Sequence, residues 1–416
     1  MIKHLVPITA LLAGVALLLL GSGLLGTLLA VRGSAEGFSD VFLGLIGSGY
    51  FVGFLAGSFI APPLIRRVGH VRAFAFFAAA TAAATLLYGL LVTPSAWIAL
   101  RVLTGTALVA LYTIIESWLN SQAPRQHRGR IFAIYMMVNL GALAAAQQLL
   151  RIDSSTSFTL FAVSSLLVCL AVMPVSATRL PQPQASKGAP FSLRLLMRAA
   201  PVAVAGGLLS GLAMGAFWGM GAVYAGRIGL ADNGVALFMS AAILGGAVLQ
   251  WPLGAFSDSR DRRLALAVVA LAAALAAGGL AASSFAGRWA VAAVALYGGL
   301  AFAVYPIAVA LLVDHLPQEE LLTGSSGLLL IHGIGAAIGP LLAGLAMDRI
   351  GPQALPLHFA VMQLLLAAIA FASVRRSEPE ISEPGHFMPM LRTSATVLEM
   401  IPANEQTTQA EAATAH

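Results

Sequence analysis

The chain has 416 residues, 59% of them hydrophobic and 10% charged, with a mean hydropathy of +0.88. A soluble domain carries roughly 25% charged residues, so this chain is too poor in charge to cover a water-facing surface, and most of its solvent is lipid. The net charge of +6 is read as basic loops against an anionic leaflet, not as a nucleic-acid footprint.

A membrane-spanning helix needs about 20 apolar residues. In chain order such runs fall at 6–31, 40–64, 72–93, 95–121, 129–151, 156–176, 201–226, 232–256, 263–284, 288–314, 322–347 and 353–374. None has the ten-residue alternation of a membrane barrel. The expected fold class is therefore an all-α membrane protein, with twelve transmembrane helices in two six-helix halves. The first run imitates a signal peptide, but it exceeds the apolar core of one, roughly 7–15 residues, and reads as the first span. Cys169 is the single cysteine and lies in an apolar run, which excludes an internal disulfide and a cysteine-based metal site. No cofactor or metal is expected. There is no Walker sequence and no credible nucleophile–base set, which argues against an ATP motor and against an embedded enzyme.

Seventeen of the 23 lysines and arginines fall on one side of this layout, five on the other, and Arg101 inside a span. By the positive-inside rule both termini of this multi-pass protein are expected to be cytoplasmic. The link 177–200, with Pro181, Pro183, Gly188 and Pro190, separates an N-terminal bundle at 1–176 from a C-terminal bundle at 201–374. Within it, 191–198 reads either as a plain connector or as a short basic amphipathic piece at the interface. The tail 375–416 carries six glutamates without a periodic apolar face and is expected to be disordered and cytoplasmic.

The halves look duplicated. Gly57 ends a glycine-rich stretch before an arginine loop, and Gly254 does so 197 residues later. Glu116 lies near the inner end of the fourth span and Asp314 near that of the tenth, 198 residues on. Repeats of this kind mark secondary transporters.

The segment 254–263, GAFSDSRDRR, resembles the loop signature G-x-x-x-D-R-x-G-R-R of the major facilitator superfamily, with Asp261 in place of the second glycine. The first-half counterpart, 57–72, departs further, since no Asp follows Gly57. In that departure, in ESWLN and RGRIFAIYMMV (116–138), in QWPLG (250–254) and in YPIAVA (305–310), the chain resembles the YcaD-like group of bacterial permeases. The resemblance implies a monomeric transporter that works by alternating access. It also implies an inner gate of ion pairs that holds the cytoplasmic side shut in one state. The expected gating residues are Asp258, Arg260, Arg262 and Arg263 in the loop after the eighth span and Arg66 and Arg67 in the loop after the second. Arg130 follows the fourth span, and Glu116 and Asp314 are expected to meet these arginines from helix ends.

Charges and polar groups inside apolar spans are costly and point to function. Arg101 lies about 9 Å from the outer end of its span. Two readings stand: it snorkels outward, or it faces a central cavity and meets an anionic substrate or a carboxylate. Its context, R-V-L-T-G, resembles part of a superfamily signature associated with proton coupling. His332 lies on the order of 14 Å deep and is either a packing histidine or a proton carrier. Asn139, Trp218 and Tyr305 are candidate cavity residues, ahead of Tyr50, Tyr112, Gln147, Gln148 and Gln250. Pro252, Pro306 and Pro340 are expected to kink or end helix turns.

The expected function is secondary active transport of a small solute by rocking of 1–176 against 201–374. Its partners would be the solute, the bilayer and, through Arg101, Glu116 and His332, protons. Export is preferred to uptake because the cavity candidates are largely apolar and aromatic. An uptake permease of the same fold and a transport-inactive receptor or scaffold are the alternative readings.

Overall fold

The computed structural model describes residues 2–123, 128–177, 183, 192–283 and 288–374. The tail 375–416 and most of the link 177–200 lie outside the described residues, and with them the expectations placed there. The first half consists of α1 (Ile2–Ala35), α2 (Asp40–Val68), α3 (His70–Leu90), α4 (Pro94–Gln122), α5 (Arg128–Gln148) and α6 (Thr159–Ser176). A short α7 (Leu193–Ala199) precedes the second half, α8 (Pro201–Arg227), α9 (Asp232–Asp258), α10 (Arg262–Ala282), α11 (Arg288–Val313), α12 (Leu321–Ile350) and α13 (Ala354–Val374). Among the described residues every α-helix but α7 is long and apolar enough to cross a bilayer, giving 12 spans. Among the described residues there is no strand.

Local chemistry explains the helix ends. Ser39 caps α2 by accepting from the Phe42 amide, and Asp40 in the first turn suits the positive end of the helix dipole. Pro94 and Pro201 open α4 and α8, where a proline has no intrahelical bond to lose. Asp261 caps α10 by accepting from the Arg263 amide at 2.8 Å.

The arginine loops are shorter than the sequence implies. Gly57 does not end α2, which runs on through Pro62 and Pro63 to Val68, with Arg66 and Arg67 in its last turn. There their charge suits the helix C-terminus. Gly69 alone separates α2 from α3, at a φ of 85° that glycine adopts without a Cβ penalty. In the second half α9 continues past Gly254 to Asp258, and Arg262 and Arg263 already belong to α10. Pro252, Pro306 and Pro340 lie inside α9, α11 and α12 and end none of them.

Each half repeats one packing scheme. In the first, α1 packs on α5 and α6, α2 on α4, and α3 on α4 and α6. In the second, α8 packs on α12 and α13, α9 on α11, and α10 on α11 and α13. Glycine makes the closest of these contacts. A Cβ on Gly53 would lie 2.0 Å from the Val102 carbonyl oxygen, and one on Gly105 would lie 2.1 Å from that of Tyr50. Without a hydrophobic drive between helices in lipid, such backbone contact is a main source of association.

The halves meet where α2 packs on α8 and α12, α1 on α8, and α5 on α9. Polar bonds across this interface gather at one end, where α1 hands over to α2 and α8 to α9. Gln148 Nε2 donates to Ser240 Oγ at 2.6 Å, and Ser240 Oγ to the Ala144 carbonyl at 3.0 Å. Arg151 reaches Asn233 at 3.2 Å, and the Ser155 amide reaches Asp232 at 3.1 Å. Arg227 pairs with Asp40 at 2.8 Å. The stretch 191–198, read from sequence as a plain connector or a short amphipathic piece, contains the seven-residue helix α7, capped by Ser192, with Leu196 buried and the helix packed on α8 and α12.

Candidate functional site

Arg101 lies two turns into α4 and is 7% exposed. It does not snorkel. Its guanidinium sits 5.0 Å from the centroid of the Tyr50 ring, within the range of a cation–π contact. Glycine brings it close to two helices: a Cβ on Gly49 of α2 would press on Arg101 Cβ at 3.3 Å, and one on Gly26 of α1 would lie in ordinary contact with its Nη2 at 3.8 Å. The arginine is thus held between α1 and α2 and lines a small cavity with Ser22, Gly26, Gly47, Tyr50, Phe51, Leu108, Trp218 and Gly219. That cavity has room for about one water. Trp218 and Gly219 come from α8, so both halves build it. Trp218 is half-buried, its ring 5.8 Å from Phe302 and 5.2 Å from Phe217.

A second polar group lies inside the first half. Glu116 is fully buried, and Tyr135 Oη donates to it at 2.9 Å. Asn139 is buried on the same face of α5, one turn on, and its Nδ2 donates to the Tyr135 carbonyl at 2.8 Å. Arg66 and Arg67, which Glu116 was expected to meet, are exposed in the last turn of α2. Among the hydrogen bonds described, the buried Glu116 carboxylate on α4 takes a donor from α5.

A third group lies inside the second half. His332 Nδ1 is 3.2 Å from Ser210 Oγ, and its ring centroid is 4.3 Å from that of Tyr305. Three helices, α8, α11 and α12, therefore converge on one imidazole.

The charged cluster at the end of the bundle opposite Asp40–Arg227 centres on Arg262, which is 8% exposed. Its Nε donates to Asp314 at 2.6 Å, and its Nη1 to Asp258 at 2.9 Å and Ser257 at 3.1 Å. Arg263 pairs with Asp261 at 3.2 Å and donates to the Ser373 carbonyl at 2.9 Å. Both sets of bonds lie within the second half. Arg260 is exposed in the three-residue link between α9 and α10, and Arg130 is exposed in the first turn of α5.

The structure therefore brings Arg101 to Trp218, His332 to Tyr305, Glu116 to the face of Asn139, and Asp314 to Arg262 and Asp258. It leaves Arg66, Arg67, Arg130 and Arg260 at the surface. Sequence reasoning missed Tyr135, Ser210 and the Asp40–Arg227 pair. A lone tyrosine or serine in an apolar helix carries no signal of its facing, and Asp40 and Arg227 are 187 positions apart.

A family model described as Major Facilitator Superfamily matches residues 11–326. The MFS-type transporter YcaD of Escherichia fergusonii is 26% identical over 378 residues, covering 90% of this chain and 98% of that protein. YcaD of Shigella flexneri is 27% identical over 367 residues, covering 88% and 93%. Among solved structures, the nucleoside transporter NupG aligns with a TM-score of 0.74 at 14% identity, over 89% of this chain and 100% of that one. A D-xylose–proton symporter aligns with a TM-score of 0.68 at 15% identity, over 89% and 97%. With twelve spans in two repeated bundles and a matched region that covers most of its length, this chain belongs to the major facilitator superfamily and is a multi-pass membrane transporter.

Proposed function

We propose that the protein moves a small solute out of the cell by alternating access, at a site around Arg101, Tyr50 and Trp218, with proton flow supplying the energy. The observation that carries this reading is the placement of a charged cavity between halves whose polar seal lies at one end. A site built from both halves changes its exposure when they rock, and a ligand that favours one arrangement shifts the balance between them. The excess of basic residues on one side supports cytoplasmic termini, and with them a periplasmic sealed end and an inward-facing state. The Arg262 cluster then lies at the cytoplasmic end, among the residues proposed for gating. Buried Glu116 and half-buried His332 are the candidate proton carriers, each inside one half and within reach of a hydroxyl partner. Export is preferred because aromatic rings surround the cavity.

The test uses proteoliposomes loaded with a panel of small solutes under an imposed pH gradient, with release followed by mass spectrometry. At least one solute should leave faster than from protein-free vesicles and slow when the gradient is collapsed. Release that ignores the gradient removes proton coupling. Accumulation in place of release supports the uptake reading, and no flux of any solute supports a receptor or scaffold.

A further inference from the structure

We infer that the cavity at Arg101 takes a small organic monoanion, with its carboxylate on the guanidinium and a flat apolar body among Tyr50, Phe51 and Trp218. The inference rests on the transport reading above for the place of the substrate, and it adds the substrate's charge and shape. Among the described residues that line the cavity, Arg101 alone carries a formal charge, and that charge is buried at membrane depth. A guanidinium presents a planar fork of donors that matches a carboxylate bidentately. In a low-dielectric site that match is far stronger than in water. A cationic solute would meet like charge, and a neutral one would forgo the charge-assisted bonds.

The rest of the lining selects for shape. Tyr50 already supports the guanidinium with its ring face, so the arginine is held in place before a ligand arrives. Phe51 and Trp218 add aromatic surface from α2 and α8. Flat apolar groups pack on such faces with offset or edge contacts. Gly26, Gly47 and Gly219 supply wall without side chains, and a Cβ on Gly47 would lie 2.9 Å from Gly219 Cα. The water-sized cavity is the contracted form of this site, and the wall that yields on rocking is the one where α2 meets α8. The anion bridges the two halves, with its charge on α4 and its body against α8.

The experiment titrates the purified full-length protein in detergent with benzoate, benzamide and benzylammonium by calorimetry. Benzoate should bind saturably, and the other two at least about tenfold more weakly, a gap of about 1.4 kcal/mol. Arg101→Gln should weaken benzoate at least about tenfold, and Arg101→Lys less. Equal binding of benzoate and benzamide, no saturable benzoate binding, or full affinity in folded Arg101→Gln overturns the inference. The wild-type series decides it even where a variant does not fold. Benzoate binding without any solute flux would strike the transport reading and leave the anion site standing. Flux of a neutral or cationic solute unaffected by benzoate would do the reverse.

Discussion

Arg227, the last residue of α8, grips Asp40, the first residue of α2, with Nη2 2.8 Å and Nε 3.2 Å from the same carboxylate oxygen. The pair closes the seam between the halves at the end where Gly44 of α2 lies against the Pro340 carbonyl and Ser48 Oγ accepts from the Leu341 amide at 3.2 Å. Asp40 is 12% exposed and Arg227 41%, so the pair is partly screened and contributes about 1 kcal/mol. Loss of that amount shifts a two-state balance about fivefold. Asp40→Asn should therefore speed labelling of Ser48→Cys by an impermeant thiol reagent about fivefold, in a Cys169→Ser background. An unchanged rate would show that the pair does not hold the seal.

At the opposite end the energetics are sharper. Arg262 and Asp314 are 8% and 10% exposed in their side chains, so removing Arg262 leaves a buried carboxylate without this guanidinium. Arg262→Ala should cost on the order of 3 kcal/mol. Asp258, 34% exposed, shares the same guanidinium, and Asp258→Asn should cost about 1 kcal/mol or less. Thermal unfolding in detergent reads both, and the order of the two variants is the point at issue.

The α2–α4 seam should prove as sensitive as the site it supports. Gly53→Ala and Gly105→Ala each drive a methyl into backbone, at 2.0 Å and 2.1 Å. Overpacking of this kind costs about 1–3 kcal/mol, and parting α2 from α4 separates Tyr50 from Arg101. Both variants should lower thermal stability and weaken benzoate binding together. Gly141→Ala, with open space around it, should do neither.

Glu116 offers a separation of coupling from transport. Glu116→Gln preserves an acceptor for Tyr135 at the 2.9 Å contact while removing the charge. If Glu116 carries the proton, the variant should lose gradient-driven transport at least tenfold and keep solute exchange between equal concentrations on both sides. Equal loss of both activities would make Glu116 a packing residue.

Much of this architecture is legible in one dimension. Apolar run length set the twelve spans to within a few residues, because bilayer thickness fixes how long a spanning helix must be. The offsets of Gly57 to Gly254 and of Glu116 to Asp314 pointed to the duplication that the packing scheme repeats. Glycine-rich stretches in 47–57 and 245–254 marked the helices that approach most closely.

The facing of single side chains is another matter. Nearly every helix here is apolar all round, so no polar stripe records how it is rotated about its axis. Arg101 is the same residue whether it reaches for the headgroups or lies on Tyr50, and only the glycine-lined seams of α1, α2 and α4 send it inward. Glu116 accepts from Tyr135 of α5, while Arg66 lies exposed in the last turn of α2, and neither facing can be read from run length or composition. Length, composition and repeat are sums along the chain, and the sequence by itself determined them. Which charge meets which depends on rotation and neighbourhood among helices, and packing alone decided that.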